Sequence, residues 1–482
     1  MTQLEFIAHS RFRTGADYDR KTHKYSRTYV HPGSWDVNVD CSAGLPRRTI
    51  TIPGGIGGPT KPTRIEVAIS PPDVSAYRWE FQHEDGSIQT FRRVGRTGWV
   101  PAKTDISLTK TGVYTVTLFE ELRGGGSRAT RANWRLQDLL IVCLGDSWAA
   151  GEGNPLVRGF PTFFGRRMCN NVTTATIALQ RLLATNPPTA LTQIPMDKRA
   201  SWVEPLAHRS YDSGHARAVQ DFEDPRGSIV CTFLSFATSG AEIEAGMLQP
   251  QHSWQRTGQV EEAKAAVGNR NIDALILSIG GNDVGFSTGL SDLASDWHDG
   301  GTTNMRRATL QRIEALPTKY ESLVASINGD LNPERVFITQ YAAALFDKPD
   351  PIAPNNGLGM RAKGCGVFDT TRHMAVSAVD AGVIWDLALQ LNKKVKAAAD
   401  NAGWIYVDGI VEGFAGHGYC SDNTFFVGAE QSCNLQGDFN GTMHPNEAGH
   451  SVIAQRVGAA MNRAMRPVGS VARPQSRSSS PS

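Results

Sequence analysis

The 482 residues hold 49 Lys and Arg against 47 Asp and Glu, a formal charge of +2, and 40% of them are hydrophobic. So small a charge gives no reason to expect a nucleic-acid or acidic-membrane partner. The length exceeds one ordinary core and predicts two or three domains, while the longest apolar runs, Leu139–Leu144 and Ala274–Ile279, fall far short of the roughly 20 residues that span a bilayer.

The opening MTQLEFIAHSRFR has no apolar signal core, which leaves a cytosolic chain or one already processed for export. Residues 1–135 read as β structure. Arg64–Ser70, Tyr77–Phe81 and Gly112–Leu118 alternate apolar with polar, and the turn-rich IPGGIGGP, SPPD and EDGS separate such runs. Short alternating strands at this spacing predict an antiparallel sandwich with one face of each strand buried. YRWEF and GVYTVTL resemble strands of PKD-like immunoglobulin sandwiches. GGGSRATRAN then closes the module.

From Leu139 the pattern changes. Five short apolar runs recur with helical segments between them: LLIVCL (139–144), CTFLSFA (231–237), ALILSI (274–279), RVFITQY (335–341) and WIYVDGI (404–410). Runs apolar on both faces suit a parallel sheet covered by helices. Ile384, Leu387, Leu391, Val395 and Ala398 fall at helical spacing, with Gly403 as a stop. The expectation is a doubly wound α/β domain over 136–466, whose long first crossover, 153–215, caps the sheet. The tail 467–482 has almost nothing to bury and is expected to be disordered.

Three of these strands end in small-residue turns. The first gives Gly145-Asp146-Ser147, where such sheets bind ligands, with glycines that let the chain turn and a substrate approach. The second gives Thr238-Ser239-Gly240-Ala241 and the third Gly280-Gly281-Asn282-Asp283. In a doubly wound sheet the three ends lie side by side. The amides of Ser147 and Gly240 and the Asn282 side chain would then supply three donors to an oxyanion, a main requirement of acyl transfer. GTMHPNEAGH, near the C-terminus, holds His444 before a helix-starting turn, and a serine nucleophile needs such a base.

These four blocks resemble the SGNH (GDSL) hydrolase superfamily, and GDSWAAGEGNP, AHRS (207–210), ATSGAEI, LSIGGNDVGF, HGYC and GTMHPN are similar to its large bacterial members. The resemblance implies a flavodoxin-like fold and hydrolysis of carboxylic esters through an acyl-enzyme without a metal or other cofactor. It makes Ser147 the nucleophile, Gly240 and Asn282 oxyanion donors and His444 the base. One position departs: the family's D-x-x-H-P has Gly441 in place of the acid. The imidazole is then oriented by the carbonyl of residue 441 or by Asp438, and the shorter reach favours the carbonyl.

His417, Cys420, Cys433 and His450 form a possible zinc set, but C-x12-C fits no common finger spacing. There is no Walker motif or paired-glycine dinucleotide motif. Seven cysteines leave at least one thiol unpaired. Cys143 reads as packing, and Cys420 and Cys433 bracket a polar loop that a disulfide would close in an exported protein; otherwise all seven are reduced and buried. The non-enzymatic alternative is a surface-binding protein with an inert hydrolase domain, recognising its partner through the N-terminal sandwich.

Overall fold

The computed structural model describes residues 3–10, 18–43, 47–52, 63–68, 71–94, 103–170, 196–224, 229–285, 301–343, 378–419, 421 and 423–466. Most of the 342–376 insertion, the centre of the 153–215 crossover, the tail 467–482 and Cys420 lie outside the described residues. The chain divides into two units. The first comprises 1–141, 223–234 and 266–273, and the second 142–222, 235–265 and 274–482.

The first unit is built from strands. β1 (Gln3–Ala8), β4 (Trp35–Ala43) and β9 (Lys103–Leu108) pair antiparallel, as do the short β2 (Tyr18–Asp19) with β3 (Lys24–Tyr25) and β5 (Arg47–Ile52) with β6 (Thr63–Ala68). A second ladder runs β8 (Ile88–Val94), β7 (Val74–His83), β10 (Gly112–Leu122) and β11 (Ser127–Gly145), again antiparallel. Alternation decides the inner face. Tyr114, Val116 and Leu118 of β10 are buried, opposite Phe81 and Trp79 of β7 and Trp134 of β11. Phe6 stacks on Trp134 at 5.3 Å, and Phe81 meets Tyr114 edge-on at 6.0 Å. Each such aromatic contributes about 1.5–3 kcal/mol by leaving water.

β11 runs across the expected boundary at 135/136. Its alternating half runs into the apolar LLIVCL with no Gly or Pro to break it, so one strand serves the first unit to Ile141 and the second from Val142.

The second unit is mixed α/β. The five apolar runs of the sequence form the end of β11, then β14 (Ile229–Ser235), which belongs to the first unit as far as Leu234, β15 (Ala274–Ser278), β16 (Val336–Thr339) and β17 (Ile405–Val407), in the order β14-β11-β15-β16-β17. β15, β16 and β17 pair parallel, Leu275 beside Val336 and Phe337 beside Ile405. A pair β12 (Phe160–Pro161) and β13 (Met196–Lys198) lies in the crossover. The predicted helix spans Ala378–Ala402, buries Ile384, Leu387, Leu391 and Val395, and stops at Gly403 with φ +68°. Helices Gly214–Phe222 and Glu447–Met465 pack closely, because a Cβ on Gly214 would fall 2.6 Å from the Cβ of Ile453.

Candidate active site

The Gly145-Asp146-Ser147 turn is set by tight packing against β15. Gly145 has φ +133°, and a Cβ there would lie 2.1 Å from the Ser278 carbonyl oxygen. Asp146 N–H donates to that same oxygen at 2.9 Å. The Asp146 carboxylate caps the one-turn helix Ser147–Ala150 by accepting from Trp148 N–H at 3.0 Å, and it also accepts from the Tyr341 hydroxyl. Burial pushes the Asp146 carboxyl up to about 7. Ser147, in the first turn, has an amide with no intrahelical acceptor.

His444 lies 2.7 Å from this serine, Nε2 to Oγ. Nδ1 faces the carbonyl of Thr442 at 3.3 Å. A carbonyl only accepts, so Nδ1 carries the proton and Nε2 accepts from the Ser147 hydroxyl. Burial holds the imidazole below the usual histidine range. It is therefore neutral near pH 7, as a general base must be. The loop is firmly held: Met443 at φ +62° donates to Val427 O, Val427 N–H donates to His444 O, and Asn446 caps the following helix.

The orienting carbonyl is that of residue 442 rather than 441. Gly441 O is already occupied by His444 N–H at 3.0 Å, and the left-handed turn at Met443 swings the ring toward Thr442. Asp438 is directed elsewhere. Its carboxylate accepts from Gln436 Nε2 at 2.7 Å and Asn440 N–H at 2.9 Å, and faces His208 at 3.7 Å.

The second and third turns arrive beside the first. Thr238 N–H donates to Gly145 O at 3.0 Å, and Gly240 turns at φ +82°. Asn282 gives one Nδ2 hydrogen to Ala241 O at 3.0 Å, which leaves the second to donate. Asp283 fixes this loop, accepting from Ile243 N–H at 3.0 Å and from Lys319 at 2.7 Å.

Sequence reasoning missed Glu152 and His208, although both lie in stretches it singled out, GDSWAAGEGNP and AHRS. Glu152 is buried and 2.7 Å from His208 Nδ1. With Asp438 they bring three ligand-type atoms within 4.8 Å of one another. Gln436 Nε2, however, donates to both carboxylates, and such N–H groups would point at a cation seated there. The set reads as an ion-pair network. The suggested zinc set does not converge. Cys433 is bonded to Cys169 rather than to Cys420, His417 Nδ1 bonds Asn423 O, and His450 Nδ1 accepts from Gly214 N–H. Cys41, Cys143 and Cys231 are buried.

No protein-family model matches the chain, and no curated protein does. Among solved structures it is similar to an extracellular lipase from Streptomyces rimosus at 16% identity, covering 68% of this chain and 99% of that one, TM-score 0.41. It is similar to a phospholipase A1 from Streptomyces albidoflavus at 17% identity, covering 65% and 94%, TM-score 0.40. A family two carbohydrate esterase from Clostridium thermocellum matches at 10% identity over 95% and 98%, TM-score 0.30. These likenesses are distant, and what the site can do rests on its own geometry.

Proposed function

We propose that this protein is a serine ester hydrolase of the SGNH kind, with a flavodoxin-like catalytic domain joined to a β-sandwich module. One observation carries the reading: a serine at a strand-to-helix turn lies 2.7 Å from Nε2 of a buried histidine whose other nitrogen is held by a main-chain carbonyl. Ser147 Oγ attacks the ester carbonyl and its proton passes to His444 Nε2. The carbonyl oxygen becomes an oxyanion received by the amides of Ser147 and Gly240 and by Asn282 Nδ2. The imidazolium gives the proton to the leaving alkoxide, which departs as the alcohol and leaves an acyl group on Ser147. Water, deprotonated by the same imidazole, releases the acid and restores the serine. No step calls for a metal or another cofactor. The Cys169–Cys433 disulfide favours work in an oxidising compartment.

A panel of p-nitrophenyl esters of rising acyl length tests the reading. The unsubstituted protein should hydrolyse at least one of them, and a serine-directed organophosphate should label Ser147. Ser147→Ala should abolish turnover with the fold intact. Turnover persisting in the alanine variant would remove Ser147 from the mechanism.

A further inference from the structure

Glu152 takes no part in the proton transfers above, yet it is buried with an ionised partner and bonds to the turns that carry Ser147 and Gly240. Its carboxylate accepts from Ser239 Oγ at 2.5 Å, from Gln436 Nε2 at 2.6 Å and from His208 Nδ1 at 2.7 Å. Ser239 precedes the oxyanion glycine, and Gln436 lies on the stretch that leads to the histidine. The main chain at this point is as closely engaged. Glu152 N–H donates to Ser147 O at 3.0 Å, and a Cβ on Gly153 would lie 3.4 Å from the Cβ of His444. His208 adopts φ +50°, uncommon for a side chain other than Gly or Asn, and its ring stacks on Trp202 at 4.7 Å. It is held in place to face the carboxylate.

We propose that Glu152, kept ionised by His208, is a positioning residue. It clamps the oxyanion turn through Ser239 and supplies the negative charge that the Thr442 carbonyl cannot give to the His444 imidazolium.

A carbonyl offers only a dipole to a cation forming in a buried site, whereas a nearby carboxylate offers a full charge. His444 is faced by the Ser147 hydroxyl, by the Thr442 and Asn440 carbonyls of its own loop, by Glu152 and His208, and by His450 of the following helix. Burial works against a charged Glu152, but His208 and His444 hold it down at about 2, while Glu152 holds His208 up at about 9. The pair stays ionised throughout the range in which His444 titrates. Glu152 favours the imidazolium and His208 opposes it more weakly.

The inference rests on the proposed serine hydrolysis, and ester turnover by the unsubstituted protein tests that separately. The test here is the acid limb of kcat/KM on p-nitrophenyl butyrate for Glu152→Gln and His208→Gln, each checked for folding by circular dichroism. Glu152→Gln should move the limb to lower pH by about half a unit or more, and His208→Gln, which takes away the cation that keeps the buried carboxylate ionised, should move it the same way by a smaller amount. A merely structural loss lowers kcat/KM without moving the limb. Limbs that stay put, or that move to higher pH, overturn the proposal. If Glu152→Gln does not fold, His208→Gln decides by the direction of its shift. If neither folds, imidazole ¹⁵N NMR of the unsubstituted protein decides: His208 should be doubly protonated at pH 7.5, and a neutral His208 overturns the pairing.

Discussion

At the scale of single residues the site depends on which donors and acceptors are already occupied. Asn282 keeps one N–H to donate while the other holds Ala241 O. Asn282→Ala should therefore lower kcat by about 10²–10³ with KM little changed, the usual size for one oxyanion donor. A change confined to KM would mean that this amide binds the ground state. Asp438 has its carboxylate on Gln436, Asn440 and His208. Asp438→Asn should lower kcat by less than about tenfold, whereas loss of a true triad acid costs about 10⁴. A fall of three decades or more on a folded protein would restore it as the acid. Positions 147, 240, 282 and 444 were legible because each sits in a short glycine- or proline-marked turn. The choice between carbonyls 441 and 442 was not, since it hangs on the positive φ of Met443. Glu152 and His208 were hidden for another reason: their partners come from positions 239, 436 and 438, and no spacing along the chain announces that.

Between elements, the tight contact of helices Gly214–Phe222 and Glu447–Met465 has a cost in acid. His215 and His450 are buried there, and neither ring nitrogen of His215 has a hydrogen-bond partner among the described residues. Burial lowers His215 to about 4 and His450 to about 3. Both are neutral in the fold, so their contribution is fully present above the unfolded value near 6.5. It is lost progressively as pH falls toward and past the folded values. For His215 alone the loss by pH 4 is about 3 kcal/mol. Melting temperature should fall steeply between pH 6.5 and 4, and His215→Leu, which cannot charge, should flatten that slope. An unchanged slope would show that other groups set the acid limit. The helices themselves were readable from apolar periodicity, and the Ala378–Ala402 stripe falls on the predicted residues.

For the whole molecule, the division into two units is not a cut in sequence. Residues 223–234 and 266–273 belong with the N-terminal strands. Val230 joins that core, the Tyr29 hydroxyl bonds the Phe233 main chain at 3.2 Å, and Arg270 donates to Val30 O at 2.6 Å. A chain beginning at residue 136 would keep Val230, Phe233 and Arg270 and lose what covers them. It should express as aggregate or melt without cooperativity. A soluble fragment with a sharp melt would show the catalytic unit to be self-sufficient. The parallel strands were evident as doubly apolar runs, but which later segments return to the first unit is settled by tertiary packing and leaves no mark in local pattern.

The Cys169–Cys433 bond also fixes an order of events in biogenesis. Its cysteines are 264 residues apart, so during synthesis the first must wait for its partner until nearly all of the second unit has been made. Before the second is made, Cys41, Cys143 and Cys231 have all appeared as rival thiols, each able to capture Cys169 in an oxidising environment. Their complete burial in the finished fold then acts as a sorting device. A strand that closes over any of the three withdraws it from exchange with Cys169.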